Sequence, residues 1–83
     1  MKAHAYRLID VNYRSAIYEV ATTPLTAKQI AVLVNDDNPA FPVLSHQFVS
    51  ARVHEMVKSG HLEETAVLLD GKPTKAFVKV LPF

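Results

Sequence analysis

The stretch Ser45–Leu62, SHQFVSARVHEMVKSGHL, decides how this chain is read. Ser45 is a residue type that accepts hydrogen bonds from the orphan N–H groups of a helix start. Val49, Val53, Met56 and Val57 recur at i, i+4, i+7 and i+8, which is one face of a 3.6-residue period. Lys58 puts a cation in the last turn, where it complements the helix dipole. Gly60 suits the left-handed position just beyond a helix end. Cap, period and stop thus agree on a helix over 45–59.

The period then changes. Glu63-Glu64 leads into Thr65-Ala66-Val67-Leu68-Leu69, Asp70-Gly71-Lys72-Pro73-Thr74 is rich in turn formers, and Lys75 to Leu81 alternates. This predicts a hairpin over 64–81 whose tip is longer than two residues and bent by Pro73. In its second strand Ala76, Val78 and Val80 are expected to face the core, and the lysines at 75 and 79, in phase with Phe77 and Leu81, the water. Leu68 and Leu69 are adjacent, so one of them is expected to be exposed.

Upstream, Tyr13, Ile17, Val20 and Ala21 share a helical face, predicting a first helix over 10–21 with Asp10 or Asn12 as cap. Ala3–Ile9 reads equally as its extension or as a short strand. Thr22-Thr23-Pro24 ends the helix, because proline disfavours α geometry in the residue before it. Thr26 and Gln29 have capping-box spacing, with Leu25 and Ile30 placed as a hydrophobic staple, and open a second helix over 26–34. Ile30, Leu33 and Val34 are its expected buried face, and Asn35-Asp36-Asp37-Asn38-Pro39 its stop. Phe41, Val43 and Leu44 are expected to fold back on the core.

Eighty-three residues predict one domain, and a chain this short buries only about 60% of its unfolded surface. The absence of Cys removes disulfides and thiolate metal sites, and fits a reducing, cytoplasmic setting. The longest strictly apolar run, Ile30–Val34, falls far short of the roughly 20 residues of a membrane span, and the N-terminus has no apolar signal region. His4, His46, His54 and His61 lack metal-ligand spacing, so no metal is expected. Asp36-Asp37 is turn chemistry with no nucleophile beside it, and two glycines cannot build a phosphate loop. No enzyme activity, cofactor or small-molecule ligand is expected.

The order helix, helix, helix, hairpin resembles the winged helix-turn-helix superfamily of bacterial and phage transcription regulators. The resemblance rests on Leu25-Thr26-Ala27-Lys28-Gln29-Ile30-Ala31, on Val49-Ser50, Val53, Met56-Val57, Gly60 and Leu62, and on Asp70-Gly71-Lys72 at the hairpin tip. It covers roughly residues 10–81 and implies an α+β fold in which a three-helix core is closed by a C-terminal wing. It also implies that helix 45–59 enters the major groove of double-stranded DNA while the wing follows a phosphate strand. The connection between the second and third helices is longer than the family's commonest turn.

The residue types agree with that implication. With the valines inward, the outward side of helix 45–59 carries Gln47, Ala51 and Lys58, with Phe48, His54 and Glu55 on its flanks. Ser45, His46 and Gln47 lie at the end that meets bases in such helices. Gln pairs bidentately with adenine, and Ala or Phe contacts a thymine methyl. Ser45, Ser50, Arg52, Lys28, Lys72 and Lys75 are phosphate-contact candidates. Glu55 on the outward face would repel phosphates.

Two function classes compete. One is a small sequence-specific regulator, acting as a homodimer or with a partner because one such domain reads few base pairs. The other is a winged-helix interaction module that docks on a transcription or replication protein. The second is motivated by a net charge of only +1, 49% hydrophobic residues, and the apolar residues Phe48, Leu68 and Phe83, whereas Tyr6 and the N-terminal segment are contact candidates for the first.

Overall fold

The computed structural model describes residues 13–39 and 42–81. The predicted helix start at 10–12, the strand or helix at Ala3–Ile9, and Tyr6, Phe41 and Phe83 lie outside them. Three helices precede one antiparallel hairpin, the arrangement of a winged helix-turn-helix: α1 (13–20), α2 (Ala27–Asp37), α3 (His46–Lys58), β1 (Leu62–Leu69) and β2 (Lys72–Lys79). Among the described residues no helix is long and apolar enough to cross a membrane.

The first helix buries the face its period predicts. Tyr13, Ile17 and Ala21 enter the core and Val20 packs at its margin. Burial also pushes the Tyr13 phenol above its ordinary pKa. Its hydroxyl donates to the Pro42 carbonyl at 2.7 Å, and that of Tyr18 to the Val80 carbonyl at 3.2 Å.

The capping box at Thr26 forms in both directions: the Gln29 N–H donates to Thr26 Oγ1 at 3.2 Å and the Thr26 N–H to Gln29 Oε1 at 2.9 Å. Two expectations for α2 are corrected. The helix runs on to Asp37, three residues past the predicted end at 34, and Asn38 caps it by donating to the Val34 carbonyl. The reason lies in Asn35, whose side-chain amide leaves the helix surface to bond the α2–α3 loop. Its Nδ2 donates to the Leu44 carbonyl at 3.1 Å, and its Oδ1 accepts the Leu44 N–H at 2.8 Å. A turn-forming residue is here used for a tertiary contact, and the helix continues through it. The buried face is also different: Ala27, Ile30, Ala31 and Val34 point inward, while Leu33 remains 39% exposed. Of the loop residues expected to fold back, Leu44 does and Val43 faces water.

The third helix matches its reading at both ends. Ser45 Oγ accepts the Phe48 N–H at 3.1 Å. At the other end Gly60, at φ +84°, lets two N–H groups turn back, Gly60 to the Val57 carbonyl and His61 to the Met56 carbonyl. This is a Schellman stop, which any L side chain at Gly60 would strain.

The hairpin departs from expectation in three ways. Leu69 pairs with Lys72, so the tip is the two-residue turn Asp70-Gly71, both at positive φ (52° and 77°), a type I′ geometry matched to strand twist. β1 begins at Leu62, two residues before the predicted start at 64. Pro73 does not bend the tip. It sits within β2 opposite Leu68, at a pair that exchanges no ladder bonds, where a missing N–H costs nothing.

Of the β2 residues expected to face the core, Ala76 does so at 0% exposure, while the placement of the others is corrected. Phe77 is 2% exposed and is a principal core side chain, whereas Val78 and Val80 are only half-buried. Burying one aromatic removes more apolar area than burying a valine. The lysines in phase with Phe77 adapt, with Lys75 exposed toward the tip and the Lys79 ammonium lying 5.3 Å from the Tyr18 ring centre. Leu68 and Leu69 are both exposed, at 72% and 38%.

A third short chain segment completes the sheet. Leu25 and Phe77 exchange two backbone bonds, at 3.0 and 2.7 Å, and the Lys79 N–H donates to the Ala21 carbonyl at 2.8 Å. The outer edge of β2 is thereby fastened to the α1–α2 connection, which fixes the wing against the helices.

Candidate nucleic-acid interface

The α3 helix is oriented by three buried side chains, Val49 and Val53 at 0% exposure and Met56 at 7%. Its opposite side is then determined by the helical period. Gln47, Ala51, His54 and Lys58 are exposed there, and His46 is exposed in the first turn. Ser50 is half-buried on the flank.

His54 marks where α3 meets the wing. Its ring lies edge-on to Phe77, with centres 5.6 Å apart, and its Nδ1 is 2.6 Å from the Ser50 carbonyl oxygen. A carbonyl only accepts, so Nδ1 is the donor in this contact. Lys75 lies two residues from Phe77 on the same face of β2, about 7 Å nearer the tip. His54 and Lys75 thus link the outward side of α3 to the wing. Lys72 is exposed beside the turn, on the other sheet face. Helical spacing puts Lys58 on the outward side and His54 on its flank, and names no contact for either.

The α1-facing flank of α3 is occupied by a brace. Phe48, half-buried, meets the Tyr13 ring edge-on at 6.0 Å, and the Arg52 guanidinium lies 4.9 Å from its centre. Among the described residues its ring partner is Tyr13 of α1. Glu55 receives Arg52 at 2.8 Å on one oxygen and Arg14 of α1 at 2.9 Å on the other. These pairs are partly exposed and contribute little stability, but they change the electrostatics. A carboxylate expected to repel phosphates stands between two guanidinium groups. Arg14 escaped the sequence reading because nothing local links residue 14 to residue 55.

The remaining candidates lie apart from this surface. Ser45 is exposed, with its hydroxyl committed to the Phe48 N–H. Lys28 lies on the outer face of α2 beside Leu25, Gln29, Val32 and Leu33. Leu68 projects from the wing near its tip.

A cleft of about 550 Å³ opens between α1 and the C-terminal end of α3. Five of its polar side chains bond within the protein, Arg14 with Glu55, Ser59 with His61 and the Met56 carbonyl, and Tyr18 with the Val80 carbonyl, while Ser15 and Glu19 complete the polar lining. Among the described residues no three His, Cys, Asp or Glu side chains converge as a metal site.

A scan of protein-family models gives no match to the chain, and a search of curated proteins gives none either.

Proposed function

We propose that the chain is a sequence-specific DNA-binding protein, a small transcription regulator of the winged helix-turn-helix type. In this reading the first two turns of α3 contact base edges and the wing contacts phosphates. The supporting observation is that Gln47, Ala51 and His54 are exposed on the side of α3 opposite the buried Val49, Val53 and Met56, and that His54 packs against Phe77 of the wing strand that also carries the exposed Lys75. Gln47 supplies a bidentate donor–acceptor pair suited to adenine, and Ala51 a small apolar contact for a thymine methyl. Lys75, Lys72 and Lys58 supply phosphate contacts. Arg52 and Arg14, held by Glu55, add positive charge on the α1 side without protruding into the groove.

Titration against a pool of random duplexes tests the proposal. With about 3–5 phosphates neutralised, the log–log dependence of affinity on salt has an expected slope of about −3 to −5, and selection is expected to enrich a preferred sequence. Binding without enrichment, or affinity that barely responds to salt, contradicts it.

A second reading is favoured by the wing itself. Leu68, 72% exposed near the tip, offers an apolar contact suited to a protein partner on the transcription or replication machinery. Gln47→Ala changing the enriched DNA sequence supports the first reading. Leu68→Ser abolishing a protein association while DNA selection stays unchanged supports the second.

A further inference from the structure

The outer face of α2 carries charges arranged against its own dipole. Lys28 sits in the first turn, Asp36 and Asp37 in the last, with no acid at the start and no base at the end. An isolated helix is stabilised by the reverse arrangement. Between these charges lies Val32, 53% exposed, with Leu33, 39% exposed, beside it. Leu25, Lys28, Gln29, Val32 and Leu33 line a shallow groove of about 380 Å³. Among the described residues neither Lys28 nor Asp36 makes an ion pair.

Lys28, Val32 and Asp36 fall at i, i+4 and i+8, on one stripe of the helix. Lys28 and Asp36 are each about 6 Å along the axis from Val32, one on either side. Such a stripe is complementary to itself when reversed. Two copies of α2 laid antiparallel about a two-fold axis at Val32 bring Lys28 of each beside Asp36 of the other. They also set each charge against the favourable end of the neighbour's dipole, which offsets the unfavourable arrangement within the single helix. A two-fold contact requires this reciprocity, in which i meets j and j meets i.

We infer that the outer face of α2 is a self-association surface whose occupant is the antiparallel α2 of a second copy of this chain, centred on Val32. A contact about 16 Å long and about 10 Å wide is smaller than a standard stable interface, so the dimer is weak and concentration-dependent. Lys28 then serves the dimer and leaves the set of phosphate contacts. The inference does not depend on what α3 binds.

Sedimentation equilibrium of the full chain without DNA, from micromolar to millimolar concentration, tests it. The wild type is expected to self-associate. Lys28→Asp and Asp36→Lys each place like charges opposite one another twice, and each is expected to weaken association about tenfold. The double reversal restores complementarity and is expected to return association to within about threefold of the wild type. Both substitutions follow the helix dipole, so loss of helix cannot produce the weakening; far-ultraviolet circular dichroism checks this. A wild type that stays monomeric at millimolar concentration overturns the inference. So does self-association that ignores the single reversals, or that the double reversal fails to restore.

Discussion

Phe77→Ala is expected to lower the melting temperature by roughly 12–40 °C. Phe77 is 2% exposed, among the largest of the fully buried side chains, and its ring reaches the edge of His54 on α3. Removing a buried aromatic costs about 3–5 kcal/mol in transfer and cavity terms. In a domain of this size each kcal/mol moves the midpoint by about 4–8 °C. The two backbone bonds to Leu25 survive the substitution, so the loss reports packing and not sheet register. Leu68→Ala, on the same hairpin but 72% exposed, is the matched control and is expected to stay within about 0.5 kcal/mol of the wild type. Equal melting temperatures for the two variants would mean that β2 does not turn Phe77 toward the helices. Thermal unfolding followed by circular dichroism reads both.

Asn35→Ala is expected to cost about 2 kcal/mol and to release the α2–α3 loop. The Asn35 amide serves both backbone groups of Leu44, at 2.8 and 3.1 Å, as a neighbouring strand would. Leu44 is buried, so its N–H loses a partner that water replaces poorly. Asn35→Asp does not rescue, because it keeps the acceptor but sets a carboxylate against the Leu44 carbonyl. Denaturant unfolding gives the free energy, and the Leu44 amide is expected to exchange with solvent far faster in the variant. Unchanged protection at Leu44 would show that the loop is held by other contacts.

The two substitutions mark the limits of what the sequence reveals. Whatever is settled within one or two turns was legible. Ser45, the valine period and Gly60 define α3 to its caps, and Thr26 with Gln29 fixes the start of α2, because these signals use neighbouring backbone groups. The far end of α2 was misread because Asn35 looks like a local turn former and acts on Leu44, nine residues away. The burial of β2 was legible for Ala76, which is inside, and for Lys75, which is outside, but Phe77 was misread because two lysines in phase with it suggested a wet face. Their long stems tolerate partial burial, and one aromatic outweighs them. The Asp-Gly turn was present in the sequence, but Lys72-Pro73-Thr74 extended the apparent tip.

The candidate interface divides in the same way. Gln47, Ala51, His54 and Lys58 follow from helical spacing once Val49, Val53 and Met56 are placed inside. The Arg14–Glu55–Arg52 cluster does not, since it joins α1 to α3 across the fold. That cluster adds what the sequence does not show: the Glu55 carboxylate is paired with two guanidinium groups on the flank of α3. Phe48, a docking candidate by sequence, is half-buried and packs against Tyr13 and Arg52.

The most direct test of DNA reading by α3 is amide chemical-shift mapping of the full chain during titration with a duplex recovered from the random pool. The expected perturbations concentrate on Ser45–Arg52 and on the wing from Gly71 to Lys75, and Gln47→Ala removes the largest changes in α3. Perturbations confined to the outer face of α2 or to Leu68 and Leu69, with α3 unmoved, would contradict the account.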